Sequence, residues 1–197
     1  CVPELRVRVE EGRSYMPDWQ VHPYLMLLFV TSAIAAVFVA VLWRRRSQHG
    51  ALTLLVLMAG AGAWTFGEAA ELHAESIEWR VFWTDVRYLG IATIPYVWLL
   101  FAFQFAWGRN RPVPWYLRIL AVMPVAAITA AWTNPYHHLM WRRIWLEPSG
   151  SALMTATERG PLYWVLVSYG YVFILVGTVV LVGAAVRSHR TYRKQTA

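Results

Sequence analysis

Trp64, Glu68 and Glu71 follow one another at spacings of four and three residues, so they share one face of any helix that carries them. A carboxylate near the end of a membrane-spanning helix is costly unless it meets water or a partner. Two readings follow. The pair forms a ligand- or proton-sensing site open to one side of a membrane, or it is an ordinary helix end whose carboxylates pair with Arg80 or Arg87. Asn134, His137, His138 and Trp141 gather further polar and aromatic groups in one short segment. Trp98, with Phe101, Phe103 and Phe105, either lines a lipophilic pocket or packs and faces lipid.

Other chemistries find little support. His22, His73, His137 and His138 fall at one boundary of the apolar runs, and His49 and His189 at the other. None sits where a haem or pigment in a bilayer core would need an axial ligand. Imidazole and carboxylate suit zinc, but no paired-histidine spacing supports a metal site, and none is expected. Phosphate loops, dinucleotide fingerprints, nucleophile elbows and paired cysteines are missing, so no enzyme class is indicated. Cys1, the single cysteine, excludes an intrachain disulfide. A chain that starts at Cys reads as processed or trimmed. Cys1 is then a candidate for lipid acylation, or simply the point of a cut.

The elements that must position these residues are apolar. Hydrophobic residues make up 58% of the chain, and five runs stand out: Tyr24–Trp43, Ala51–Gly67, Tyr88–Trp107, about Ile119–Thr133 and Pro161–Val186. Runs of this length imply a bilayer. The connections after runs one, three and five carry Arg44, Arg45 and Arg46, then Arg109, Arg111 and Arg118, then Arg187, Arg190, Arg193 and Lys194, with no acidic residue. All 11 acidic residues fall in the N-terminal segment, Glu68–Arg87 or Thr133–Gly160. By the positive-inside rule the N-terminus is outside and the C-terminus cytoplasmic. The net charge of +7 then reads as anchoring to anionic lipid, not as a nucleic-acid surface. Trp19, Trp43, Trp107, Trp115, Trp132 and Trp164 sit near run ends, as an interfacial belt requires.

The predicted fold is an all-α membrane protein, a five-helix bundle with a small outer β-hairpin between helices four and five. Residues 1–22 form an extracytoplasmic segment in which Leu5, Val7 and Val9 alternate with charges. Residues 23–186 form the bundle, with an outer loop at 134–160, and 187–197 a basic cytoplasmic tail. Helix three is expected to begin near Ser76 and to hold Pro95 inside it. Asn134 before Pro135 predicts a turn. Trp141–Leu146 and Ala152–Thr157 predict the hairpin strands, with a type I turn over Glu147-Pro148-Ser149-Gly150. Ala59, Ala63 and Gly67, and later Gly170 and Gly177, are candidates for close helix approach.

Several stretches together resemble the N-terminal seven-helix membrane domain of bacterial and archaeal sensor histidine kinases. They are Ala63-Trp64 with Glu68 and Glu71-Leu72; Phe82-Trp83 through Arg87-Tyr88-Leu89-Gly90-Ile91; Pro95 with Trp98 to Gln104; Trp132-Thr133-Asn134-Pro135-Tyr136-His137-His138-Leu139-Met140-Trp141; and Gly160-Pro161 with Trp164, Tyr169 and Tyr171. The resemblance runs from about His22 to the end and covers the first five helices. The last two helices and the kinase lobes lie outside these residues. It implies a non-catalytic sensory input module in a prokaryotic cytoplasmic membrane, with a kinase output domain as partner. The alternative is an accessory subunit of a larger photosynthetic or respiratory complex, touching other membrane subunits, lipid or pigment. A small transporter is weaker, for want of charge in mid-membrane. No cofactor is expected beyond bound lipid or pigment, and no nucleic acid.

Reporter fusions after Ser47 and Asn110 should report the cytoplasm, and fusions after Ser76 and Ser149 the outside. A reversed pattern refutes the orientation.

Overall fold

Each long apolar run becomes a helix, because a bilayer leaves no other partner for its backbone N–H and C=O groups. A computed structural model describes residues 21–48, 50–74, 76–107, 112–149 and 152–195. Its elements are α1 (Val21–Arg44), α2 (Ala51–His73), α3 (Ile77–Trp107), α4 (Trp115–Ile119), α5 (Val122–Trp132), α6 (Asn134–His137), β1 (Trp141–Ser149), β2 (Ala152–Arg159) and α7 (Pro161–Gln195). Five spans are long and apolar enough to cross a membrane, with α4 and α5 together forming the fourth. Cys1, Trp19, the Leu5–Val9 segment, His49, Arg109 and Arg111 lie outside the described residues.

The third span is the hub. It packs against α2, α5 and α7, while α1 packs on α2. The α2–α3 contact is made backbone to backbone. A Cβ on Gly90 would collide with the carbonyl oxygen of Gly60 and come within 3.0 Å of Trp64, and one on Gly67 would lie 3.0 Å from the Cβ of Arg87. Gly60 and Gly67 are two turns apart on one face, and Gly90 answers them from α3. Of the small residues expected to carry this contact, Gly67 does so. Ala59 is exposed, because the contacting face runs through Gly60. On α7, a Cβ on Gly170 would lie 3.5 Å from Pro95 and one on Gly177 would crowd the Trp98 ring.

Few polar bonds tie the helices, as suits a bundle held largely by packing in lipid. Ser32 and Thr65 join α1 to α2 at 2.8 Å, and Thr53 donates to Gln104 at 2.6 Å between α2 and α3. The Tyr96 hydroxyl donates to the Leu117 carbonyl, and the Tyr169 hydroxyl to the Ala92 carbonyl. The latter bond lies beside Pro95, whose missing N–H already leaves the Ile91 carbonyl without its helical donor.

Three local expectations are corrected. The fourth span starts at Trp115, earlier than about Ile119, and is broken at Leu120–Ala121. Pro124 accounts for the break, since it cannot donate to Leu120 and its ring crowds that carbonyl. Asn134 is helical despite preceding Pro135. Its side chain is held by three bonds: Nδ2 donates to the Trp141 carbonyl, and Oδ1 accepts from Met140 N and Trp141 N. Those bonds offset the bias against helix. Finally, the hairpin ladder runs from Trp141↔Arg159 to Ser149↔Ala152, so Glu147 and Pro148 are ladder positions and not turn corners.

The hairpin lies on the bundle. Met140 and Trp141 are buried with Tyr88, Ala130 and Ala131, and Ile144, Leu162 and Leu166 pack around them. A bulge at Arg142 makes this possible. Residues 141 and 144 are an odd number apart and would face opposite sides of a regular strand, and the extra residue turns both inward. Gly160 closes the base, donating to the Met140 carbonyl at 2.7 Å, where a Cβ would strike the Leu139 carbonyl.

Gly90→Ala should lower the thermal midpoint of the detergent-solubilised protein, with a cost of about 1–3 kcal/mol, as overpacking does. Gly183→Ala, with open space around it, should leave the midpoint unchanged or raise it. Equal midpoints for the two variants would contradict the α2–α3 contact.

Candidate functional site

Arg87 reaches across the α2–α3 contact at the hairpin end of the bundle. Its Nη1 lies 2.6 Å from Glu68 Oε2 and 3.0 Å from Glu71 Oε2. The first contact is a hydrogen bond. The second has ion-pair distance without hydrogen-bond geometry, so Glu71 Oε2 keeps an open acceptor position. The local sequence makes this arrangement. Gly67 lets the Arg87 backbone come close, and Glu68 and Glu71 follow that glycine one residue and about one turn on. The expected face of Trp64, Glu68 and Glu71 is present, and of the two proposed partners Arg87 is the one seen to bridge both carboxylates. Arg80 Nε instead donates to the Ala74 carbonyl, within the α2–α3 corner.

Below the hairpin a cavity of about 460 Å³ opens between α2, α3, α5, α7 and β2. This volume is ordinary for a small-molecule site. Trp64 and Glu71 reach it from α2, and Arg87 and Tyr88 from α3. Thr155, Thr157 and Arg159 enter from alternate positions of β2, and Tyr163 and Tyr169 from α7. Trp141 forms part of the roof, edge-on to Tyr88 at 5.1 Å between ring centroids. Three buried polar atoms at this cavity have no hydrogen-bond partner among the described residues: Glu71 Oε2, Arg87 Nε and Thr155 Oγ1. Arg159 lies over the rings of Tyr163 and Trp164 at 4.9 and 5.7 Å, a cation–π arrangement.

The candidate residues from the sequence therefore separate. Trp64, Glu71 and Trp141 line the cavity, and Glu68 touches it through Arg87. Asn134 is buried and holds the start of β1. His137 is engaged locally through both ring nitrogens, Nδ1 accepting from Leu139 N and Nε2 meeting Thr133 Oγ1. His138 is exposed, in a left-handed conformation with φ 53°. Trp98 packs elsewhere, stacked on Phe101 and donating to Thr178 at 3.3 Å. Among the described residues no group of three or more His, Cys, Asp or Glu side chains is gathered to hold a metal.

Sequence reasoning missed Thr155, Thr157, Arg159, Tyr163 and Tyr169 as cavity residues. The alternation Thr155-Ala156-Thr157-Glu158-Arg159 was a usable signal, since three polar side chains on one strand face cannot all be solvent-facing if that face meets the bundle.

A family model described as the N-terminal 7TM region of histidine kinase matches residues 27–197. No curated protein and no solved structure matches the chain.

Arg87→Met should destabilise the protein by about 3–5 kcal/mol, because it strands two carboxylates on one helix face. Adding Glu71→Gln and Glu68→Gln to that variant should restore much of the loss. Thermal unfolding of the single and triple variants checks this; no recovery in the triple variant contradicts the ion-pair account.

Proposed function

The chain belongs to the family of N-terminal 7TM regions of histidine kinases, and from that premise we propose that it is a non-catalytic input module that receives its stimulus in the cavity beneath the hairpin. The hairpin side is taken as extracytoplasmic. The support is the charge pattern of the sequence, in which the connections at the opposite end carry arginines and no acidic residue.

One observation carries the reading. The helix α7 is continuous over 35 residues, from Pro161 to Gln195. Its first turns supply Tyr163, Leu166, Tyr169 and Gly170 to the cavity, and its last turns are the basic segment on the far side. At 1.5 Å per residue this rod is about 50 Å long. A ligand that wedges the hairpin and α3 away from α7 must tilt or slide the whole rod, and an output domain joined beyond it would receive that displacement. Small residues at the α3–α7 contact, Gly170 on Pro95 and Gly177 on Trp98, permit such sliding. A ligand shifts the resting balance only by binding one arrangement more tightly than the other.

A tryptophan at 166 imitates an occupant. In a Cys1→Ser background with spin labels at Ala106→Cys and Val186→Cys, Leu166→Trp should shift the interlabel distance distribution in nanodiscs. An unchanged distribution rejects the coupling of this cavity to α7.

A further inference from the structure

The receptor reading leaves the stimulus unnamed, and the cavity's own chemistry narrows it. Resting on that reading, we infer that the cavity takes an uncharged amphipath: a flat or alkyl apolar body with one polar end that both donates and accepts hydrogen bonds, such as a phenol, alcohol or amide.

Charge is the first argument. Two guanidinium groups, Arg87 and Arg159, line the cavity, along with the Glu71 carboxylate, and Glu68 is bonded to Arg87. Arg87 is thus already paired with both carboxylates, and Arg80 lies within electrostatic reach of Glu71. A ligand bearing a net charge would have to compete with the Arg87 ion pairs as well as give up its own hydration.

The open hydrogen-bond positions are the second. Arg87 Nε is a donor and requires an acceptor. Glu71 Oε2 stands 3.0 Å from Arg87 Nη1 without hydrogen-bond geometry and can accept from a further donor. Glu71 is more than nine-tenths buried, at 7% exposure, so bulk water does not supply the partner. Thr155 Oγ1, also buried and unpartnered, adapts to either role. A carboxylate ligand would serve Arg87 Nε and repel Glu71, and an ammonium would do the reverse. A hydroxyl or amide serves both.

The rest of the lining is the third. Trp64, Tyr88, Trp141, Tyr163 and Leu166 present rings and alkyl groups, which suit a flat or aliphatic body.

The test uses the full chain in nanodiscs, with empty nanodiscs as the partition control. Isothermal calorimetry with para-nonylphenol should show one saturable site. Nonylbenzene, which lacks the polar end, and para-nonylbenzoate, which carries a charge, should each bind at least tenfold more weakly. Thr155→Val should weaken phenol binding about fivefold, the worth of one hydrogen bond, and Leu166→Trp should abolish it. Benzoate binding as tightly as phenol, phenol and nonylbenzene binding alike, no saturable phenol site, or an indifferent Thr155→Val each overturn the inference. If Leu166→Trp still moves α7 in the distance measurement while these probes fail, the ligand class is wrong and the receptor reading survives. If α7 does not move, that reading fails whatever binds.

Discussion

The structure depends on one guanidinium placed among helices. Arg87 sits against Gly67, and its Nη1 lies between Glu68 and Glu71. A charge here is tolerable only when paired, and pairing requires that α2 and α3 approach to backbone contact. Gly60, Gly67 and Gly90 provide that approach. Once α2 and α3 are locked in this register, α3 has a fixed face toward α5 and α7. Tyr88, one residue on, points into the cluster that receives Trp141. The ion pair, the glycine contact and the seating of the hairpin are therefore one constraint seen at three places.

The same constraint leaves the cavity under-satisfied. Arg87 has one nitrogen engaged by two carboxylates, and its Nε is buried without a hydrogen-bond partner among the described residues. A bundle selected only for packing would close such a space with a larger residue at 166 or 170. Instead position 170 is glycine, and the strand above contributes threonines. Buried polar atoms without partners are few in folded proteins and call for an explanation. Three of them belong to residues lining one space, which supports the proposed occupant.

Much of the architecture was legible in the sequence because lipid imposes a coarse grammar. Apolar run length, arginine placement and the boundary tryptophans are each set by the bilayer, so five spans and their limits followed closely. Trp43, Trp107, Trp115, Trp132 and Trp164 are all exposed, as a belt requires. The hairpin was legible too, from the length of the loop and its β-compatible runs. What failed was local and geometric. Small residues at four-residue spacing such as Ala59, Ala63 and Gly67 look alike until the contacting face is known, and that face runs through Gly60 and Gly67. The fourth span begins before its apolar run because the charged Arg118 lies within its first turns.

The site was only half legible, and the reason is physical. Trp64, Glu68 and Glu71 lie on one helix, where spacing fixes a common face. Arg87, Thr155, Arg159 and Tyr169 come from three other elements, and only the packing angles bring them together. His137 drew attention as a titratable group at a boundary, yet both its nitrogens are spent on its own turn. Asn134 was flagged for function and serves to start the hairpin. Even so its role is not separable from the site. By fixing Trp141 over Tyr88 it sets the height of the roof, and so decides how large a molecule the space beneath can hold.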